Sequence, residues 1–132
     1  MADKPVYYVT PVVQKAALPA TANTASDGTG TLTEVARGDA AAIIKIDSIL
    51  CKMLVTNTIS QVRFFFSDDG GTTKQLMPFE TQAPATTVAA GTGPWEALVN
   101  FQGFPLLNAN CRIYAAPYTA HAVNTLAIMY KP

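Results

Sequence analysis

The stretch Ala42-Ile43-Ile44-Lys45-Ile46-Asp47-Ser48-Ile49-Leu50-Cys51-Lys52-Met53-Leu54-Val55 decides how this chain folds. Ile44 and Ile46 lie two apart, and so do Ile49, Cys51, Met53 and Val55, but the second set has the opposite parity. Side chains alternate faces along a strand, so an apolar face cannot change parity without an extra residue. The pattern therefore predicts a bulge or bend at Asp47-Ser48, or a short turn there dividing two strands. This is also the most apolar run in the chain, and Lys45, Asp47 and Lys52 break it well short of the roughly 18 apolar residues a membrane helix needs.

The segments on either side read the same way. Downstream, Val62, Phe64 and Phe66 form one face, and Ser67-Asp68-Asp69-Gly70-Gly71-Thr72 is a turn rich in residues that tolerate positive φ. Lys74 to Phe79 returns from it, which makes this the best hairpin in the chain. A Thr/Ala/Pro-rich connector, Glu80 to Pro94, leads to Trp95, Ala97, Val99 and Phe101 at alternating positions. A loop is expected from Gly103 to Asn110. Cys111, Ile113 and Ala115 then alternate before Pro117, and Val123 to Tyr130 forms the last strand. Upstream, Thr29 to Ala36 reads as the first core strand, ended by a turn at Arg37-Gly38-Asp39. No window holds an i, i+3, i+4, i+7 pattern through three helical turns, and no unit repeats at a fixed period. The expected fold is all-β, a β-sandwich or jelly-roll of about seven or eight short antiparallel strands.

Residues 1–28 read differently, as an extended N-terminal arm preceding a β-sandwich domain at 29–132. Val6, Tyr7, Tyr8, Val9, Val12 and Val13 are apolar, yet Pro5, Pro11 and Pro19 interrupt regular pairing. Such a segment has little core of its own, so its order is expected to come from the domain or from a neighbouring subunit.

Composition narrows the function. Among 132 residues, 49% are hydrophobic and only 14% charged, against roughly 25% charged in an average soluble protein. Much of the surface must be neutral, which suits a protein that buries surface against something else. Nine basic and nine acidic residues cancel. That balance gives no electrostatic footprint for nucleic acid or anionic lipid, so neither is expected as a partner. The start, Met1-Ala2-Asp3-Lys4-Pro5, lacks the features of a secretory signal, and an intracellular origin is expected. Cys51 and Cys111, with no ligand at metal spacing, read as a reduced, buried pair.

Candidate chemistry is sparse. His121 is the only histidine, and a lone histidine before a strand is more often structural than catalytic. Cys51 sits in an apolar alternating stretch with no cation to make it a nucleophile. Asp68-Asp69-Gly70-Gly71 lacks the spacing of a calcium loop, and Gly28-Thr29-Gly30 lacks the ending of a phosphate loop. No catalytic residue, cofactor or metal is expected. Among the aromatics, Phe64, Phe65 and Phe66 are consecutive, so Phe65 must face away from its neighbours, where it is exposed or covered by another element. Phe65, Phe104 and Tyr118 join Val6, Tyr7, Tyr8, Val9, Val12 and Val13 as candidate interface residues, whereas a sugar site around Trp95 or Tyr118 would need polar neighbours that the sequence does not supply.

Several stretches between residues 22 and 124 resemble a family of small proteins of tailed bacteriophages and prophages. They are Ala22-Asn23-Thr24-Ala25-Ser26-Asp27-Gly28-Thr29-Gly30-Thr31-Leu32, Ile46-Asp47-Ser48-Ile49, Val62-Arg63-Phe64-Phe65-Phe66 before the Gly-rich turn, and Leu107 to Asn124 with Cys111-Arg112-Ile113 and Ala120-His121-Ala122-Val123-Asn124. The chain departs from that pattern in the more apolar Cys51-Lys52-Met53-Leu54. The likeness is to head decoration, or cement, proteins. It implies a structural virion protein on the capsid exterior that binds the major capsid protein and copies of itself, as a dimer or trimer, and stabilises the lattice. The alternatives are a tail-associated or host-glycan-binding virion module and, against the charge balance, an RNA-phage-type coat protein.

Overall fold

The structure is a computed structural model that describes residues 7–91 and 93–132. Among the described residues, eight strands occur in the order β1 (Thr10–Leu18), β2 (Thr33–Arg37), β3 (Ile44–Met53), β4 (Ser60–Ser67), β5 (Gln75–Ala83), β6 (Glu96–Leu106), β7 (Arg112–Pro117) and β8 (Val123–Lys131). They form two four-stranded antiparallel sheets, β1-β8-β3-β6 and β2-β7-β4-β5. The pairs β4–β5, β3–β6, β2–β7 and β1–β8 nest around the β4–β5 turn, like one long hairpin rolled over into two layers. That is the jelly-roll arrangement of a β-sandwich.

The inward faces close on one core, and alternation explains its membership. Ile44 and Ile46 point inward from one half of β3, and Ile49, Cys51 and Met53 from the other. Against β8, Ile46 and Ser48 pair with the consecutive residues Met129 and Ile128, so Asp47 is the extra residue that lets β3 keep a single buried face, while against β6 the surplus residues lie in β6. Phe64 from β4 meets Phe101 from β6 edge-to-face at 5.1 Å, and Phe79 from β5 lies 4.7 Å from Phe101, tying the sheets together. Cys51 and Cys111 are buried and not bonded to each other.

Three expectations change, besides the connector after β5, which begins at residue 84 and not at Glu80 because β5 runs to Ala83. Gly103 opens no loop: β6 continues to Leu106, with Gln102 and Gly103 at φ 56° and 75°. The glycine serves a bend within the strand, where two residues of β3, Ile46 and Ser48, are matched to Phe104 and Asn100. Thr29 to Leu32 is not strand, because the Asn23 Nδ2 group donates to the Thr29 and Thr31 carbonyls, both at 3.0 Å. The strand begins at Thr33.

The third change concerns the arm. Thr10–Leu18 pairs with β8 along its whole length, from Thr10↔Lys131 to Leu18↔Val123. Pro11 does not prevent this, since β1 is an edge strand and one side of its backbone needs no partner; Pro78 in β5 and Pro105 in β6 also lie on edge strands. Residues 19–32 then cross the outer face of the β2-β7-β4-β5 sheet as a strap. Asn23 N–H donates to the Pro117 carbonyl at 3.0 Å. The Arg63 guanidinium donates to the Asn23 carbonyl at 2.7 Å, the Ala25 carbonyl at 3.0 Å and the Ser26 hydroxyl at 3.3 Å. The segment from Thr10 to Gly28 is thus bonded within its own chain, not set apart from residues 29–132.

Candidate functional site

Connections at one end of the sandwich are stitched into a single surface. Asn57 and Thr86 exchange backbone hydrogen bonds at 3.0 and 2.9 Å, and the buried Asn57 side chain donates to the Thr58 and Pro84 carbonyls. Val88 N–H donates to the Thr56 hydroxyl at 2.9 Å, and Leu54 N–H to the Ala122 carbonyl at 3.3 Å. These bonds hold the connections together, and alongside the exposed Thr56, Thr58 and Thr87 they present four large aliphatic side chains: Leu54, Val55, Ile59 and Val88 are all exposed, Ile59 by 74%. Loop tips ordinarily carry polar turn formers. Four large aliphatic groups on one rim form the kind of surface that a partner covers. Tyr118, 41% exposed, extends this rim and lines a shallow groove with Ile59, Ser60, Gln61 and Gln82.

The other sequence candidates are dispersed. Tyr7, Val9 and Val13 are exposed, whereas Tyr8 and Val12 are half-buried, Val12 against the core. Val6 lies outside the described residues. Phe65 does face away from the core, but the second of the two expected outcomes holds: it is 0% exposed, covered from the strap side, with the Arg63 guanidinium 5.7 Å from its ring. It has no surface left to offer a partner. Phe104 is half-buried, packed edge-on to Phe66 at 5.4 Å and Phe79 at 6.2 Å beside a shallow pocket floored by Met77. Trp95 is half-buried against the core, which leaves little ring face for a sugar.

Groups that attract catalytic readings have local structural work. The His121 ring nitrogen Nε2 accepts from Thr58 N–H at 3.3 Å and lies 3.0 Å from the Thr58 hydroxyl, joining two connections of the apolar end. Burial pushes the Cys51 thiol up to about 12, so it stays protonated at neutral pH and is a poor nucleophile. Asp69 accepts from the Thr73 hydroxyl at 2.5 Å, from Thr73 N–H at 2.9 Å and from the Ser67 hydroxyl at 2.7 Å. Its carboxylate closes its own turn. Those donors, Thr73 first, hold the Asp69 carboxyl well below the usual carboxylate range.

A group with a lowered folded-state pKa stabilises above its unfolded value and loses that contribution as pH falls through the folded one. The β4–β5 turn is therefore expected to keep its order at neutral pH and to loosen progressively below pH about 4. Amide exchange at Gly71 and Thr73 followed by NMR reads this directly. Protection that stays constant down to the lowest pH at which the core remains folded would refute it.

No family model matches the chain, and no curated protein matches it. Among solved structures, a chain of the cyanophage Pam1 capsid asymmetric unit is similar at a TM-score of 0.44 and 18% identity, covering 99% of this chain and 91% of that one. The xylanase 10B CBM22-1–GH10 modules of Clostridium thermocellum, solved with xylohexaose, align at 0.43 and 13%, over 92% of this chain and 26% of that one. A chain of the T13 IBDV viral particle aligns at 0.34 and 11%, over 94% and 32%.

Sequence reasoning missed the rim residues Leu54, Ile59 and Val88, put Val55 on the face of Ile49, Cys51 and Met53 although β3 ends at Met53 and Val55 is exposed, and missed an outward apolar row on the β1-β8-β3-β6 sheet. Leu50, Leu98 and Leu126 each sit between inward-facing neighbours in their strands and are all exposed. The signal was available: each is apolar at the parity its strand gives to solvent.

Proposed function

We propose that this protein is a structural virion component, a decoration or cement protein of a tailed-phage head, which uses its apolar loop end against the major capsid protein. The observation that carries the reading is that rim: Leu54, Val55, Ile59 and Val88 exposed together on connections that backbone hydrogen bonds tie to one another. The hydrogen bonds already joining these connections limit the conformational entropy lost on docking, so more of the gain from burying the side chains is kept as affinity. The tailed-phage resemblance of the strap, hairpin and late segments points to the same role. Binding only the assembled lattice stabilises it by mass action. The role requires no reaction.

The test uses tailed-phage heads stripped of the protein and reloaded to saturation. Reloaded heads are expected to rupture at a higher temperature than bare ones. Ile59→Asp combined with Val55→Asp is expected to weaken co-sedimentation with heads at least about 100-fold, since two anchors are lost and two charges meet an apolar contact. Equal rupture temperatures at full occupancy would overturn the stabilising role, and unchanged co-sedimentation of the double variant would overturn the rim.

A further inference from the structure

The two outer faces of the sandwich are unlike. The strap covers one. On the other, the pairings align Lys15 of β1, Leu126 of β8, Leu50 of β3 and Leu98 of β6 in a single row across the sheet. Leu126 and Leu50 are each 37% exposed and Leu98 is 59% exposed. Two residues along the strands lies the row Val13, Ile128, Ser48, Asn100, and in the other direction Ala17, Asn124, Lys52, Glu96. Among the described residues, the chain before β1 reaches this face only at its far end, where the Lys45 ammonium lies 4.3 Å from the centre of the Tyr8 ring.

We propose that this face binds a second copy of the chain, sheet against sheet, about a two-fold axis running nearly parallel to the strands. Such an axis lays each row over itself in reverse. Leu126 and Leu50 then meet Leu50 and Leu126 of the second copy at the centre, and the bulky Ile128 lies over the small Ser48. At the rim, Lys15 falls over Leu98 of the second copy, with Glu96 of that copy two residues further along, roughly 7 Å away and within reach of a lysine side chain. The same-chain ion pair of Glu96 with Lys52, 3.5 Å long and solvent-exposed, leaves the carboxylate open to a second lysine. An axis perpendicular to the strands would instead set Lys15 against Lys15, so charge selects the parallel one.

The area is sufficient. Strands about 4.8 Å apart, rising about 3.3 Å per residue, give a four-stranded face nine residues long roughly 570 Å². Two such faces bury roughly 1,100 Å² together, above the ~1,000 Å² expected of a specific contact. A two-fold contact is self-complementary by construction and closes on itself, so it ends at a dimer. Packed sheets keep their strands within about 30° of each other, which this axis allows. The contact leaves the loop end free, and it goes beyond the capsid reading because it is a property of the free protein.

The experiment is sedimentation velocity on the whole chain across a concentration series. A dimer is expected at micromolar concentration, and Leu50→Asp with Leu126→Asp is expected to raise its dissociation constant at least about 100-fold. If that variant fails to fold, the charge pair decides, since both residues are peripheral. Lys15→Glu is expected to weaken the dimer roughly tenfold, and adding Glu96→Lys to restore it. A protein that is monomeric throughout overturns the proposal, as does an assembly indifferent to the leucine substitutions or a charge reversal that the second reversal does not rescue. Loss of head binding by the leucine variants in a protein that is monomeric as wild type would give the face to capsid protein instead.

Discussion

Phe101→Ala is expected to cost about 3–5 kcal/mol of folding stability. Phe101 lies on the edge strand β6 and points into the core, 1% exposed. Phe64 meets it edge-on at an interplanar angle of 88°, and Phe79 stacks tilted against it at 36°. Both partners come from the opposite sheet, so truncation removes the contact between layers as well as the area. Collapse into the gap is hindered because β6 is pinned to β3 on both sides of the Gln102-Gly103 bend. A domain of this size holds about 5–15 kcal/mol in total, and each kcal/mol moves the melting temperature by about 3–5 °C. Thermal unfolding should show a fall of about 10–20 °C. A fall under about 3 °C would mean that the ring cluster does not join the two layers.

Phe101 was legible in the sequence because period-two alternation is a local rule, and the core obeys it wherever one face is buried. Trp95, Ala97, Val99 and Phe101 show it, and the parity change at Asp47-Ser48 marks the bulge by the same rule. The rule says nothing of what lies over the opposite parity. Phe65 and Leu50 both occupy the outward position of a strand, yet one is sealed beneath the strap and the other is exposed. That difference arises from a segment some forty positions away in the chain, through Arg63 reaching the Asn23 and Ala25 carbonyls. Prolines misled for a related reason. Pro11 blocks pairing on one side only, and which side has a neighbour is a property of the sheet order. The apolar rim escaped notice because isolated residues such as Ile59 and Val88 carry no periodicity, and their proximity depends on the Asn57–Thr86 bridge.

Arg63→Ala is expected to release the strap at a cost of about 2–4 kcal/mol. The Arg63 side chain is 4% exposed and has no carboxylate bonded to it among the described residues; its charge is held by two carbonyls, the Ser26 hydroxyl and the faces of Phe65 and Tyr118, the latter 5.2 Å away. Removing it leaves the Asn23 and Ala25 carbonyls without those donors and opens a void over Phe65. Lysine is a poor substitute, because a single ammonium cannot follow the planar fork that spans Asn23 to Ser26. Lys at this position is therefore expected to recover less than half of the loss. The strap has a second anchor at Gly28, at φ 84°, where a Cβ would run into the Lys74 carbonyl. Gly28→Ala is expected to loosen the same segment without touching Arg63. Limited proteolysis separates a local release from global unfolding, with cleavage between residues 20 and 31 appearing in both variants under conditions where the parent is resistant and β1 stays paired with β8. If Arg63→Ala melts with the parent and the strap stays protected, the guanidinium is a passenger, and the segment is held by Asn23 through its bonds to Pro117, Thr29 and Thr31.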